Sequence, residues 1–301
     1  MQPIPAVTRT GQICNAMSVD VEDYFQTEAM SKVVPRSDWD QMPCRVERDT
    51  EHLFDLFAAG GVRGTFFFLG WVAERYPRLV RKARDLGHEI GCHSYWHRPI
   101  YTLSPAEFRE DTHRAKAVIE DAGGVRIEAY RAPSFSMTPG TEWAADILGE
   151  AGFTYDSSVH PVAHDLYGNR HAPRKPYRVA KTGLVEIPIS TIQMGQQRLP
   201  FCGGGYFRML PFSYVCWGIR RLNRGEKQPA VFYIHPWEFD PEQPRLAASR
   251  RSRFRQYTGL SKTAKNLGRL CEQFLFAPMK EAFSDQLSAI WHPAETVNTT
   301  V

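Results

Sequence analysis

Short apolar runs alternate with helix-forming stretches along the chain, and this alternation limits the fold more than any other feature. Thr65-Phe66-Phe67-Phe68-Leu69 would be apolar on both faces of an extended strand. Strands of that kind occur where helices cover both faces of a parallel sheet. Residues 13–21, 88–92, 125–130, 152–155, 184–189 and 231–234 read the same way, giving about seven strands with 65–69. Helices are expected over 47–59, ending at Gly60-Gly61, and over 74–86, stopped at Gly87. Ser104-Pro105-Ala106-Glu107 has the serine, proline and glutamate of a capping box, and its helix should run to Gly123-Gly124. Thr138-Pro139 opens another helix, and 212–222 and 261–274 complete the set. Residues 160–181 and 193–207 read as irregular stretches.

The expected fold is α/β, a distorted (β/α) barrel of about seven parallel strands, with a doubly wound open sheet as the alternative. The 301 residues, 43% hydrophobic and 23% charged, suffice for one large core. We expect a single domain over 1–301, with a catalytic core at 12–240 and a basic helical extension at 241–290. The six cysteines form no C-x-x-C pair and read as free thiols. No apolar run is long enough to span a membrane, and residues 1–11 lack the apolar core of a signal peptide. The expected location is therefore cytoplasmic, or peripheral to the inner membrane.

Polar groups gather where these strands end. Asp20, His93, His97, Arg131, Asp156 and His235 all lie at or just after strand C-termini, which a barrel brings to one rim. His93 and His97 are four apart, so a helix beginning there would turn both rings to one side. On an extended strand Asp20 and Glu22 share a face, and a turn after Val21 would swing Asp23 toward Asp20. Two imidazoles and a carboxylate hold a divalent metal and leave a position open. A second carboxylate as base, a distant histidine as acid and an arginine to orient the base fit metal-assisted hydrolysis of an amide or ester.

In sequence order, these motifs resemble the NodB-type polysaccharide deacetylases, within the carbohydrate esterases of family 4. Ser18-Val19-Asp20-Val21-Glu22-Asp23-Tyr24-Phe25 stands where the family has an adjacent acid pair. Gly64-Thr65-Phe66-Phe67, His93-Ser94-Tyr95-Trp96-His97, Tyr130-Arg131-Ala132-Pro133-Ser134, Tyr155-Asp156-Ser157-Ser158 and Ile234-His235-Pro236-Trp237-Glu238 follow. Gly203-Gly204-Gly205-Tyr206-Phe207-Arg208 and Phe254-Arg255-Gln256-Tyr257 resemble the branch found at exosortase and exopolysaccharide loci.

The resemblance implies a divalent metal, zinc first with Co2+, Ni2+ or Mn2+ as alternatives, held by His93, His97 and a carboxylate. Asp23 is favoured for that carboxylate, with Glu22 second, and with Asp20 itself if Glu22 is the base. It implies Asp20 as general base, Arg131 as its partner, His235 as general acid and Asp156 as support for that histidine. The family's aromatic residue after the Asp156 motif is missing here, and Tyr206 or Trp237 is expected to fill the acetyl-pocket wall. Tyr95 and Pro133 complete the expected substrate contacts, and Gly203–Gly205 would let backbone approach a glycan. The implied reaction removes N-acetyl or O-acetyl groups from a polysaccharide or its lipid-linked precursor in exopolysaccharide biosynthesis.

The rival readings are a cyclic amidase of the allantoinase type, which the two histidines oppose, and a non-catalytic glycan-binding barrel, which Asp20 and His235 oppose. Between Arg245 and Arg269 stand Arg250, Arg251, Arg253, Arg255, Lys262 and Lys265 without an acid. This stretch is either a solvated basic face or a docking surface for a membrane, lipid carrier or anionic glycan. No nucleic-acid partner is expected. A homodimer is compatible with the sequence.

Overall fold

In the computed structural model, which describes residues 11–164, 167–179 and 183–291, β1 (Cys14–Val21) is buried along its whole length. It pairs in parallel with β2 (Thr65–Phe68) through Ser18↔Thr65 and with β10 (Val231–Ile234) through Ala16↔Val231. The remaining strands are β3 (Glu89–Cys92), β4 (Ala129–Tyr130), β5 (Tyr155–Asp156), β6 (Tyr177–Arg178), β7 (Val185–Glu186), β8 (Thr191–Met194), β9 (Gln197–Pro200) and β11 (Leu275–Ala277). The large sheet runs β10-β1-β2-β3-β4-β5-β7-β6, with β11 pairing in parallel to the start of β1. From β10 to β7 every pairing is parallel, giving the seven parallel strands expected, and β6 is antiparallel to β7.

Strand alternation explains why this sheet curls. Phe66 and Phe68 point to the helix side, where they pack with Phe54 and Phe57 of α1 (Val46–Ala59). Phe67 points the other way, into a second cluster with Ala16, Ala129, Tyr155, Val185 and Val231. Those residues come from six different strands, and one cluster can hold them all only if the sheet wraps around it. Met279, Phe283 and Leu287 of the C-terminal segment also enter that interior. At Gly91 on β3 a Cβ would stand 2.5 Å from the Phe67 ring, so the missing side chain makes room for the phenyl group. The path ends at β10 and β6, which do not pair among the described residues, so the architecture is a curled half-barrel and not a closed one.

The helices include α2 (Gly70–Arg75), α3 (Pro77–Asp85), α4 (Pro105–Gly123), α5 (Trp143–Glu150), α6 (Gly204–Met209), α7 (Phe212–Arg220), α8 (Arg250–Tyr257) and α9 (Leu260–Gln273). The capping box at Ser104 and Glu107 is formed, and α4 stops at left-handed Gly124. The helix expected over 74–86 is instead two. Pro77 supplies no N–H and drives Tyr76 out of helical geometry, at φ −125° and ψ 55°. The stretch 193–207, read as irregular, contains part of the β8–β9 hairpin and α6. α8, β6 and β11 had no clear periodicity to reveal them. The expected long loop over 160–181 falls partly outside the described residues, as do most of the N-terminal segment 1–11 and the chain beyond Trp291. Among the described residues no helix is long and apolar enough to cross a membrane.

Candidate metal and catalytic site

Asp20, one residue before the end of β1, is 2% exposed, and Arg131, just beyond β4, is fully buried. Arg131 Nη1 donates to Asp20 Oδ1 at 2.8 Å and to Ser18 Oγ at 2.8 Å. Its other N–H groups go to the Ser157 carbonyl at 3.1 Å and the Ser157 hydroxyl at 3.1 Å. A planar fork held at this many points fixes the carboxylate it faces. Asp20 Oδ2 remains directed toward His235 Nε2, 3.8 Å away.

The carboxylate that joins the two histidines is Glu22, and Asp23 does not. Ligand atoms of Glu22, His93 and His97 lie within 4.8 Å of one another. Asp23 turns the opposite way, where its carboxylate accepts the backbone N–H groups of Arg45 at 2.6 Å, Val46 at 2.9 Å and Tyr24 at 2.8 Å. It caps the start of α1, whose first amides have no helical partner. Burial pushes its carboxyl up to about 7 against the pull of those hydrogen bonds.

The two histidines are not on a helix either. His93 follows β3 directly, and Ser94 and His97 take positive φ values of 63° and 50° in a tight turn. Asp111 of α4 accepts the Tyr95 N–H at 2.8 Å and the Trp96 N–H at 3.2 Å. Arg36 donates to the Trp96 carbonyl at 2.6 Å and the His97 carbonyl at 3.0 Å. The turn is pinned from both sides by residues far from it in sequence, and nothing local to the motif announces Asp111 or Arg36.

These donors fit a divalent cation. His93 Nδ1 lies 2.8 Å from the Arg131 carbonyl oxygen, which can only accept, so the proton is on Nδ1 and Nε2 keeps its lone pair. Burial lowers His93 to about 4, so the ring is neutral near pH 7. Glu22 is an anion: burial alone would raise its carboxyl, but His97, His235 and His93 together bring it down to about 2. Glu22 Oε2 is buried with no hydrogen bond among the described residues, yet stands 2.8 Å from His97 Nε2. A buried carboxylate oxygen this close to a ring nitrogen is satisfied by a proton on that nitrogen or by a cation that both atoms hold.

His235 follows β10. Its Nε2 faces Glu22 Oε1 as well as Asp20, each at 3.8 Å, while Nδ1 lies 3.1 Å from Glu238 Oε2. Asp156, expected to support this histidine, bonds instead to Ser158 and shares a hydrogen bond with Glu186. Trp237 is not an open stacking wall. It is 5% exposed, its indole N–H donates to Glu22 Oε1 at 3.1 Å, and it stacks on His235 at 5.2 Å.

Tyr95 is 1% exposed, and its hydroxyl lies between Glu74 at 2.5 Å and Arg114 at 2.7 Å, so it is a packing residue. Pro133 is buried in a 3-10 turn beside Arg131. Tyr206 is half-buried, its hydroxyl 3.3 Å from that of Tyr167. It is the one expected sugar contact that keeps a partly open ring. At Gly203, with φ 69°, a Cβ would fall 2.0 Å from the Tyr233 carbonyl, so the close approach there is to β10 and not to a glycan.

A curled parallel sheet with these polar groups at one rim is the NodB-type half-barrel. A family profile described as Polysaccharide deacetylase matches residues 37–155, and one described as Domain of unknown function (DUF3473) matches 157–284. The chain thus carries a polysaccharide deacetylase domain followed by DUF3473. It is 29% identical over 132 residues to the peptidoglycan-N-acetylglucosamine deacetylase of Bacillus cereus, covering 40% of this chain and 46% of that one. It is 30% identical over 105 residues to a chitin deacetylase of Colletotrichum lindemuthianum, covering 33% and 42%. The chain thus spans less than half the length of these relatives. A solved Mycobacterium smegmatis chain, assigned by its description to the polysaccharide deacetylases, shares the fold at a TM-score of 0.60 and 22% identity. The match covers 96% of this chain and 95% of that one.

Proposed function

We propose that this chain is a metal-dependent deacetylase that hydrolyses N-acetyl groups on a polysaccharide or its lipid-linked precursor. The observation that carries the reading is the meeting of Glu22, His93 and His97 with the Asp20–Arg131 pair and His235 on one rim. Glu22, His93 and His97 would hold the cation, and zinc suits two imidazoles and one carboxylate. When bound, such an ion supplies Lewis acidity toward an acyl carbonyl and lowers the pKa of water.

The remaining chemistry belongs to the chain itself. Asp20, its Oδ1 held by Arg131, offers Oδ2 to take the proton of an attacking water. His235 gives a proton to the departing nitrogen. Burial would lower its pKa, but Glu238, Glu22 and Asp20 together raise it to about 9, so it is charged at neutral pH. An amine leaves poorly without a proton, and a charged imidazole beside the base therefore favours N-acetyl over O-acetyl substrates. Acetate release from N-acetylglucosamine oligomers, with and without a chelator, tests the reading. Full activity after complete metal removal would sink the metal role.

Substrate delivery has its own surface. α7 lies along α9, with Arg220 donating to Gln273 at 2.7 Å and Arg269 over the Phe212 ring at 4.2 Å. The outer face of α9 carries Lys262, Lys265 and Arg269, with Glu272 the acid on that stripe, while Arg221 and Arg224 follow α7 and Arg221 lies 6.0 Å from the ring of Trp217, which is 39% exposed. A row of cations on one helix face and an exposed indole beside an arginine suit an anionic lipid surface. This supports work on a lipid-linked or membrane-apposed glycan and, with the DUF3473 pairing, a role in exopolysaccharide biosynthesis.

A further inference from the structure

The two ring nitrogens of His235 have opposite surroundings. Nε2 faces the carboxylates of Asp20 and Glu22. Nδ1 meets Glu238 Oε2 at 3.1 Å, and that same oxygen accepts the His235 backbone N–H at 3.0 Å. Glu238 is 1% exposed, and its other oxygen accepts from Arg208 Nε at 2.6 Å.

Arg208 is equally confined. It is 7% exposed and donates to the backbone carbonyls of Arg255 at 2.8 Å, Gln256 at 3.2 Å and Thr258 at 2.6 Å. Its guanidinium also stands 5.1 Å from the ring of Trp237, the residue stacked on His235. Burial would raise the Glu238 carboxyl, but Arg208 and His235 together hold it below the ordinary carboxylate value. The imidazole is thus braced on one edge by an anion and on one face by an indole, both tied to the same arginine. All four residues lie within 157–284, the stretch whose function is unassigned.

We propose that Glu238, locked by Arg208, is the positioning residue that presents His235 Nε2 to the leaving group, the part that resemblance gave to Asp156. A buried carboxylate on Nδ1 fixes both the ring orientation and the nitrogen left to donate. The inference rests on the deacetylase reading and deepens it by giving the 157–284 region a catalytic duty: it carries the acid and the brace that aims it.

The test uses two substrates that differ in their need for an acid. An N-acetylglucosamine oligomer releases an amine that must be protonated, whereas p-nitrophenyl acetate releases a phenolate that leaves unaided. Glu238→Gln should lower kcat on the oligomer about a hundredfold with KM little changed. Turnover of p-nitrophenyl acetate should fall far less, which also shows that the site is still assembled. Arg208→Lys should show the same selective loss, and Glu238→Asp should recover part of it. Asp156→Asn should affect both substrates alike. An equal loss on both substrates in Glu238→Gln and Arg208→Lys, or a selective loss in Asp156→Asn, would overturn the inference while leaving the deacetylase reading standing. Wild-type protein that releases no acetate from the oligomer would overturn both.

Discussion

His93 Nδ1 donates to the backbone carbonyl of Arg131 across 2.8 Å. Arg131 therefore serves both halves of the site. Its guanidinium holds Asp20, and its carbonyl sets which nitrogen of His93 is free for a cation. The candidate base and the candidate metal centre are joined through one residue, so they keep register with each other.

Separating these two duties gives the first prediction. Arg131→Lys keeps the carbonyl and loses the fork to Asp20, Ser18 and Ser157. We expect metal content to be retained while kcat falls about a hundredfold, the scale of a misplaced catalytic group. Metal analysis of the purified variant beside its acetate-release rate checks both halves. Loss of metal together with activity would show that the duties are not separable.

Glu22 and Asp23 are adjacent and should behave oppositely. Glu22→Gln should weaken metal affinity without a large loss of stability. Asp23→Ala should keep the metal and lose about 1–2 kcal/mol, because α1 loses the acceptor for its first amides. Isothermal titration with zinc and urea unfolding of both variants decide it. Metal loss in the Asp23 variant alone would restore Asp23 as ligand.

Glu186 and Asp156 make stability depend on pH. Burial, then the charge of Asp156, raises Glu186 well above 4.5, and burial raises Asp156 from 3.8 to about 6. The folded pair holds protons that the unfolded chain releases earlier. Its stabilising contribution is complete below the unfolded values near 4 and is lost as pH rises through about 6 and beyond. Urea midpoints measured from pH 4.5 to 8 should fall more steeply in wild type than in Glu186→Gln. Parallel curves would show that the pair does not titrate in this window.

The cationic face of α9 should bind anionic bilayers. Lys262→Glu, Lys265→Glu and Arg269→Glu combined should abolish sedimentation with phosphatidylglycerol vesicles, because each lost cation removes about 1 kcal/mol and each new carboxylate adds repulsion. Wild-type binding should weaken with added salt and be absent on phosphatidylcholine. Equal capture of wild type and the triple variant would remove the face from the account.

Much of this was legible in the sequence. Phe66-Phe67-Phe68 read as a strand buried on both faces because alternate side chains of a strand point to opposite sides, and Ser104 with Glu107 read as a helix start because the capping box is satisfied three residues away. The arrival of Asp20, His93, Arg131 and His235 at strand ends was likewise readable, since parallel strands with helical crossovers put all their C-termini on one rim. Even the shared face of Asp20 and Glu22 follows from the two-residue period of β1.

Tertiary structure decided which polar group each of these would meet. Asp23 was claimed by the amides of Arg45 and Val46, leaving Glu22 to the histidines. Asp156 turned to Glu186, and His235 took Glu238 with Arg208 behind it. The histidine turn depends on Asp111 and Arg36, which no spacing connects to it. Backbone periodicity is set by local sterics and can be read along one strand. The partner of a buried charge is set by which distant segments pack beside it, because a charge removed from water must pair with whatever the fold brings within reach.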